Sequence, residues 1–372
     1  MEYDVFTYFS EELNFLAFKD GVDNILSKPI KSLIILSCSG NNYPEDEVNN
    51  LLSTIDIPVC GGTFPNIFYE NNLLSSGVIF IGLSFEVSIE LFSDLQENVD
   101  EVALAASIEK RERLVSAKDI LMFYDGLMAN VEGFVEELHG TTYNPLTILG
   151  GGSGNLDFIE RPCVYTNEGI KADTIQLVVL PKSLSIATGH GWEVFEGPFL
   201  VSESTGANIE SLNYQGAFSL YQKIVEKLSD YKFSKHDFFD IAKHFPFGIE
   251  SMQGDLLVRD PIVVNGEIIT CVGNIPRNSM VYILKGDKQQ LIGSAAKAAK
   301  KMNNENECSM AIIFDCISRK LYLEDDFTQE LNLLISNNKM KYSFGVLSLG
   351  EVANNEAGTI KLLNKSTVIG CL

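Results

Sequence analysis

The residues in this chain best suited to binding or chemistry fall in a few short clusters. Arg259-Asp260-Pro261 and Asp315-Cys316-Ile317-Ser318-Arg319 place arginines, acids and a thiol beside apolar runs. A guanidinium there can clamp a carboxylate through two hydrogen bonds. The alternative for Arg259 and Asp260 is a structural ion pair. Cys316 would be a nucleophile only as a thiolate. Asp315 next to it opposes that charge, although neighbours on a strand face opposite ways. Gly350-Glu351 and Leu363-Asn364-Lys365-Ser366-Thr367 add an acid and an amide that both donates and accepts. With Arg259 or Arg319, Glu351 and Asn364 suit an amino acid or a similar zwitterion. The plainer reading of Glu351 is an ordinary acid at a strand end.

Gly189-His190-Gly191-Trp192 holds the single tryptophan and a histidine open to approach. An imidazole in that setting ligates a metal or haem iron, binds an acid, or is simply structural. The other histidines, 139, 236 and 244, show no metal-ligand spacing with it. Gly61-Gly62, Gly150-Gly151-Gly152 and Gly350 each follow an apolar run. They read either as tight turns or as a pocket wall offering backbone N–H groups. No Gly-Lys-Ser/Thr phosphate loop, HExxH or Ser-His-Asp order is present, so the chain gives no support for an enzyme. A cysteine-dependent enzyme using Cys316 is the catalytic alternative.

Those clusters need a scaffold, and the chain repeats one. Ile120–Phe123 reads as a strand, Val131, Phe134, Val135 and Leu138 as one face of a helix, and Leu146–Leu149 as a strand halted by glycines. Leu33–Leu36, the face of Val48, Leu51, Leu52 and Ile55, and Pro58–Cys60 before Gly61 repeat the order. Ala311–Phe314, the face of Phe327, Leu331, Leu334 and Ile335, and Phe344–Leu349 before Gly350 give a looser third copy. Such repetition argues for duplication. Val78–Ile81 and Val87, Ile89 and Leu91 are expected to pair with each other, and Ile186–His190 to close the second copy. The fold class is therefore α/β (α+β), with mixed sheets covered by helices. A different segment separates copies two and three, with a helix around Phe218–Leu228 and a hairpin turn at Asn265-Gly266. A lead-in at 1–29 and two closely packed domains at 30–210 and 211–372 follow, with a ligand expected near their interface.

Composition narrows the partners. Fifty acidic against 28 basic residues give a formal charge of −22, which repels phosphate backbones, so nucleic acid is not expected. No apolar run approaches the ~18 residues of a membrane span. The start, Met1-Glu2-Tyr3-Asp4, lacks the pattern of a signal peptide. The seven cysteines contain no CxxC, and several sit in apolar runs, as buried thiols of a cytoplasmic protein do. No disulfide framework or metal site is expected.

Several phrases then occur together and in order: Tyr124-Asp125-Gly126-Leu127, Gly150-Gly-Gly-Ser-Gly154, Gly189-His190-Gly191-Trp192, Phe245-Pro246, Val258-Arg259-Asp260-Pro261, Cys316-Ile-Ser-Arg319 and Gly350-Glu351. The set resembles the FIST family, over nearly the whole chain. The resemblance implies a sensory protein in signal transduction, without a fused output, that binds a small ligand such as an amino acid. It would act on a separate partner such as a histidine kinase or a cyclic-dinucleotide enzyme. Asp125, Gly151, Gly152, Arg259, Asp260, Cys316, Arg319 and Glu351, which stand in these motifs, are the expected ligand residues, together with Asn364 on its chemistry. One branch of the family binds haem and senses nitric oxide, which would make His190 the axial ligand. Two departures fall where a pocket would be lined. Thr63-Phe64-Pro65-Asn66 replaces a run of small residues, and Leu363 precedes Asn364 where many members place histidine.

Overall fold

The structure is a computed structural model that describes residues 4–93, 95, 101–142, 145–250, 256–302, 309–337, 340–355 and 357–372. It is built from three copies of one unit. The first runs β1 (Val5–Ser10), α1 (Phe15–Leu26), β2 (Ser32–Cys38), α2 (Glu45–Leu52), β3 (Val59–Phe64), the hairpin β4 (Asn66–Tyr69) and β5 (Asn72–Leu74), then β6 (Val78–Leu83). The second runs β7 (Ser88–Ser93), α3 (Glu101–Glu109), α4 (Glu112–Val115), β8 (Asp119–Asp125), α5 (Val131–Thr141), β9 (Thr147–Ser153), the hairpin β10 (Val164–Thr166) and β11 (Gly169–Lys171), then β12 (Thr174–Val179).

The third unit opens with β13 (Ser185–Gly189) and is then interrupted. The interruption holds β14 (Trp192–Thr205), β15 (Asn208–Leu212), β16 (Gln215–Gly216), α6 (Ala217–Leu228), α7 (Phe238–Ala242), β17 (Phe247–Glu250), β18 (Leu256–Arg259), β19 (Pro261–Asn265), β20 (Ile268–Cys271) and β21 (Met280–Gly286). The unit resumes with α8 (Lys288–Met302), β22 (Met310–Cys316), α9 (Ile317–Leu323), α10 (Phe327–Ser336), β23 (Tyr342–Ser348), the hairpin β24 (Glu351–Asn354) and β25 (Ile360–Leu363), and β26 (Thr367–Cys371).

Each unit builds a six-stranded mixed sheet around one parallel pair, β2–β3, β8–β9 or β22–β23. The hairpins do not stay at home. β4–β5 joins β23 of the third sheet, β10–β11 joins β3 of the first, and β24–β25 joins β9 of the second. Every sheet thus borrows its last two strands from another unit, in a closed cycle. The inner sheet faces share one apolar core, including Phe64, Phe123 and Phe314, while helices cover each outer face. The interruption forms a separate antiparallel sheet with its own core around Val201, Tyr221 and Phe247.

The helix faces read from spacing are the buried ones: Val48 and Leu52 on α2, and Val131, Phe134, Val135 and Leu138 on α5. The Asn265-Gly266 turn joins β19 to β20. Other expectations need correction. The glycines do not halt β3 or β9, which run through them. The parallel registers pair Ile35 with Gly61, Met122 with Gly150 and Ile313 with Gly345, so the third equivalent is Gly345, not Gly350. A side chain at any of these would overlap the adjoining strand or, at Gly345, the Phe68 ring of the borrowed hairpin. β7 pairs with β12, not with β6, because the sheet closes on a strand almost ninety residues away. β13 opens the third unit by pairing with β26, rather than closing the second. The lead-in also contains a strand: β1 pairs with β6. Strands before and after residue 210, which falls in β15, share one sheet, as β14 and β21 do.

Cys38, Cys60, Cys163, Cys271 and Cys316 are buried free thiols, as expected of cysteines in apolar runs, whereas Cys371 is disulfide-bonded. Cys308 lies outside the described residues. Among the described residues no helix is long and apolar enough to cross a membrane.

Candidate functional site

A cavity of about 370 Å³ lies where the inserted sheet meets units two and three. β18 brings Val258 and Arg259, β13 and its exit bring Thr188, Gly189 and His190, α5 brings Glu132 and Glu136, and β25 with the following turn brings Lys361, Leu363 and Ser366. A second hollow of about 230 Å³ adjoins it, and Glu132 and Asn274 line both.

Arg259 is buried at the partition. Its Nε donates to Asn274 O at 3.0 Å, and Nη1 donates to Leu362 O at 3.1 Å and Val258 O at 3.3 Å. Nη2 is ion-paired with Glu132 Oε1. The other oxygen of Glu132 accepts from the Asn274 amide at 2.6 Å. The Lys361 side chain also lines the cavity and, among the described residues, has no hydrogen-bond or ion-pair partner. The cavity therefore offers cations and acids within one hollow, against an apolar wall that includes Ile249, Leu256 and Leu257.

His190 reaches the cavity, but its Nδ1 accepts from the Trp192 amide at 3.0 Å. The proton of the neutral ring then sits on Nε2. A haem- or metal-ligating histidine has the opposite polarity: its second nitrogen donates outward, leaving a lone pair for the metal. The site does not fit an axial haem ligand. Histidines 139, 236 and 244 do not line the cavity. Among the described residues no group of three or more His, Cys, Asp or Glu could hold a metal ion.

Beneath the cavity floor lies a sealed polar layer that contains most of the other expected residues. Asp260 is ion-paired with Lys365 Nζ at 3.0 Å and accepts from Ser318 Oγ at 2.6 Å. Glu351 accepts from Ser348 Oγ at 2.8 Å. Burial pushes the Glu351 carboxyl well above the usual range, and Asp315 adds to the effect. The thiol of Cys316 is raised by burial first, then by Glu351 and Asp260, which is the reverse of an activated nucleophile. Both side-chain ends of Asn364, one oxygen each of Glu351 and Asp315, and the Tyr124 hydroxyl are buried without a hydrogen-bond partner. Such atoms are the usual anchors of internal water.

Arg319 is fully buried in the same layer. Its Nε donates to Glu330 Oε1 at 3.1 Å, Nη1 to His190 O at 2.7 Å and Lys365 O at 3.2 Å, and Nη2 to Leu291 O at 3.0 Å and to Glu330 Oε2. Every N–H is used, so it has no donor left for a ligand. Asp125 caps its own turn, accepting from Leu127 N at 3.0 Å and Asp173 N at 2.9 Å. Gly151 and Gly152 form no pocket wall. A side chain at Gly151 would strike Phe314 and Ser348, and the Gly152 amide is spent on Gly350 O at 2.9 Å.

The structure therefore brings together Arg259 and His190 at the cavity, and Asp260, Cys316, Glu351 and Asn364 behind its floor. Asp125, Gly151 and Gly152 line neither hollow. Sequence reasoning missed Glu132, Glu136 and Lys361. Glu132 reads as a routine acid in the first turn of a helix, where the macrodipole favours one. The sequence offered Asp260 as the acid for Arg259, but Asp260 is ion-paired with Lys365, which leaves the more distant Glu132 as the acid on Arg259.

Interlocked mixed sheets, with an inserted antiparallel sheet closing a charged hollow, define the architectural class. Residues 32–215 match the family model described as the FIST N domain, and residues 217–354 match that of the FIST C domain. The chain belongs to the FIST family, whose domains are associated with sensory roles in signal transduction. No curated protein matches it.

Proposed function

We propose that this protein is a cytoplasmic sensor that binds an amino acid or a related small zwitterion and acts on a separate signalling protein, such as a histidine kinase or a cyclic-dinucleotide enzyme. The observation that carries this reading is the cavity of about 370 Å³ lined by Arg259, Lys361, Glu132 and Glu136. Its size falls at the lower end of small-molecule sites, ~300–1,000 Å³. The cations suit a carboxylate, the acid Glu136 suits an ammonium group, and the apolar wall suits a side chain. The polar layer behind the floor, with Asp260, Glu351 and Asn364, holds that floor in place.

Occupancy signals only if the ligand favours one conformation over another. The inserted sheet and α5 meet across the cavity, so their relative position is the natural variable. The test is calorimetry with the twenty amino acids on the wild type and Lys361→Ala. A subset binding the wild type, at least about tenfold more weakly after the substitution, is expected, since a lost charge-assisted contact is worth ~1.5–3 kcal/mol. No heat from any amino acid would overturn the reading.

A further inference from the structure

Arg259 and the acid it pairs with among the described residues, Glu132, come from different bodies of the fold. Arg259 ends β18 of the inserted sheet, while Glu132 stands in the first turn of α5 on unit two. We propose that Glu132 is an internal stand-in for a ligand carboxylate: it occupies Arg259 until an entering carboxylate displaces it, and the displacement frees the first turn of α5. This rests on the small-ligand reading above and adds how occupancy is transmitted and which chemical group is required.

The guanidinium is held from behind by backbone oxygens of residues 258, 274 and 362, so its position does not depend on Glu132. Its Nη2 faces Glu132, and the second N–H on that nitrogen has no partner among the described residues. Both members of the pair line the cavity, so an entering anion reaches them directly. A buried guanidinium cannot be left without an anion cheaply. Exchange of one carboxylate for another keeps that charge balanced, whereas a neutral ligand cannot make the exchange.

The displaced side chain has a destination. Glu132 also lines the second hollow of about 230 Å³, on the far side of the partition. The start of α5 has little else to fix its polar end. Its cap residue Asn130 sits in a left-handed conformation and makes no side-chain capping bond. Lys361 supplies the further positive charge that a second carboxylate in the cavity requires.

Acetate is the probe, because it carries the carboxylate and nothing else. Removing the internal competitor raises apparent affinity by the fraction it had blocked, here about tenfold or more. Acetate is expected to raise the melting temperature of Glu132→Ala at concentrations tenfold below those needed for the wild type, with chloride at equal ionic strength as control. Glu132→Asp, a shorter acid, is expected to fall between, and keeps the comparison available should Glu132→Ala not fold. In the wild type, saturating acetate is expected to speed amide exchange in the first turn of α5. Equal acetate responses of wild type and variants, or a response that survives in Glu132→Ala/Arg259→Met, would overturn the proposal. The acetate series involves no amino acid. Its failure beside a positive calorimetric screen would therefore sink the displacement alone. A silent screen beside a positive acetate series would sink the zwitterion reading alone.

Discussion

Arg319 and Arg259 are both buried, both paired with glutamate, and both donate to the backbone of β25 or the turn that follows it, at Lys365 and Leu362 respectively. They differ in what surrounds the pair. Arg319 spends every N–H inside the third unit and on the segment entering the insert, between Glu330 and Asp315. Arg259 keeps a donor in reserve, faces an open hollow, and shares its acid across two bodies. A saturated guanidinium is a strut. An unsaturated one beside a cavity is available for recognition. Burial and charge alone do not separate the two; the donor inventory does.

Substitutions should widen that contrast. Arg319→Met leaves Glu330 and Asp315 buried without their cation. Breaking such a pair costs about 3–5 kcal/mol, so this variant should be largely insoluble or melt far below the wild type in calorimetry. Arg259→Met should cost less, about 1–3 kcal/mol, because Glu132 retains some contact with water. It should fold and lose its ligand response. If the two variants melted alike, the distinction between strut and recognition group would fail.

The sealed layer and the cavity should also differ in response to pH. Burial raises the Glu351 carboxyl in the folded state above its unfolded value. The native state then holds a proton that the unfolded chain has released. Stability falls as pH rises from the unfolded value, ~4.3, towards the folded one, by at most about 1.4 kcal/mol per pH unit for one proton. Chemical denaturation of Glu351→Gln should show a shallower decline between pH 5 and pH 8, with equal or greater stability at the upper end. An unchanged slope would mean that Glu351 carries no excess proton. The smallest effect concerns Cys316. Its buried, raised thiol should react with a mild thiol reagent at neutral pH only at the rate of global unfolding. Prompt labelling would show that the layer is open.

Much of this was legible in the chain, for reasons specific to particular residues. Val131, Phe134, Val135 and Leu138 state a helix face, because local spacing decides which side is apolar. The threefold repetition showed in the recurring strand, helix and glycine order. What spacing could not state was partnership between distant strands. Nothing local in Asn66–Tyr69 says that it pairs with Tyr342–Ser348. The site divided along the same line. Arg259 and His190 stood out by type and setting. Glu132 and Lys361 acquire meaning only once α5 and β25 are brought against the inserted sheet. Gly151 and Gly152 looked like ligand contacts because close approach explains any glycine, and here the approaching group is the protein's own Phe314 and Leu349.

The loaned hairpins carry a consequence for how the chain can be dissected. A fragment ending near residue 215 would keep β4 and β5 but lack the strand they dock against, and its second sheet would want for β24 and β25. Neither half has a complete set of neighbours. The two segments recognised as separate modules are a single folding partnership, in which damage to the last unit is felt by the first.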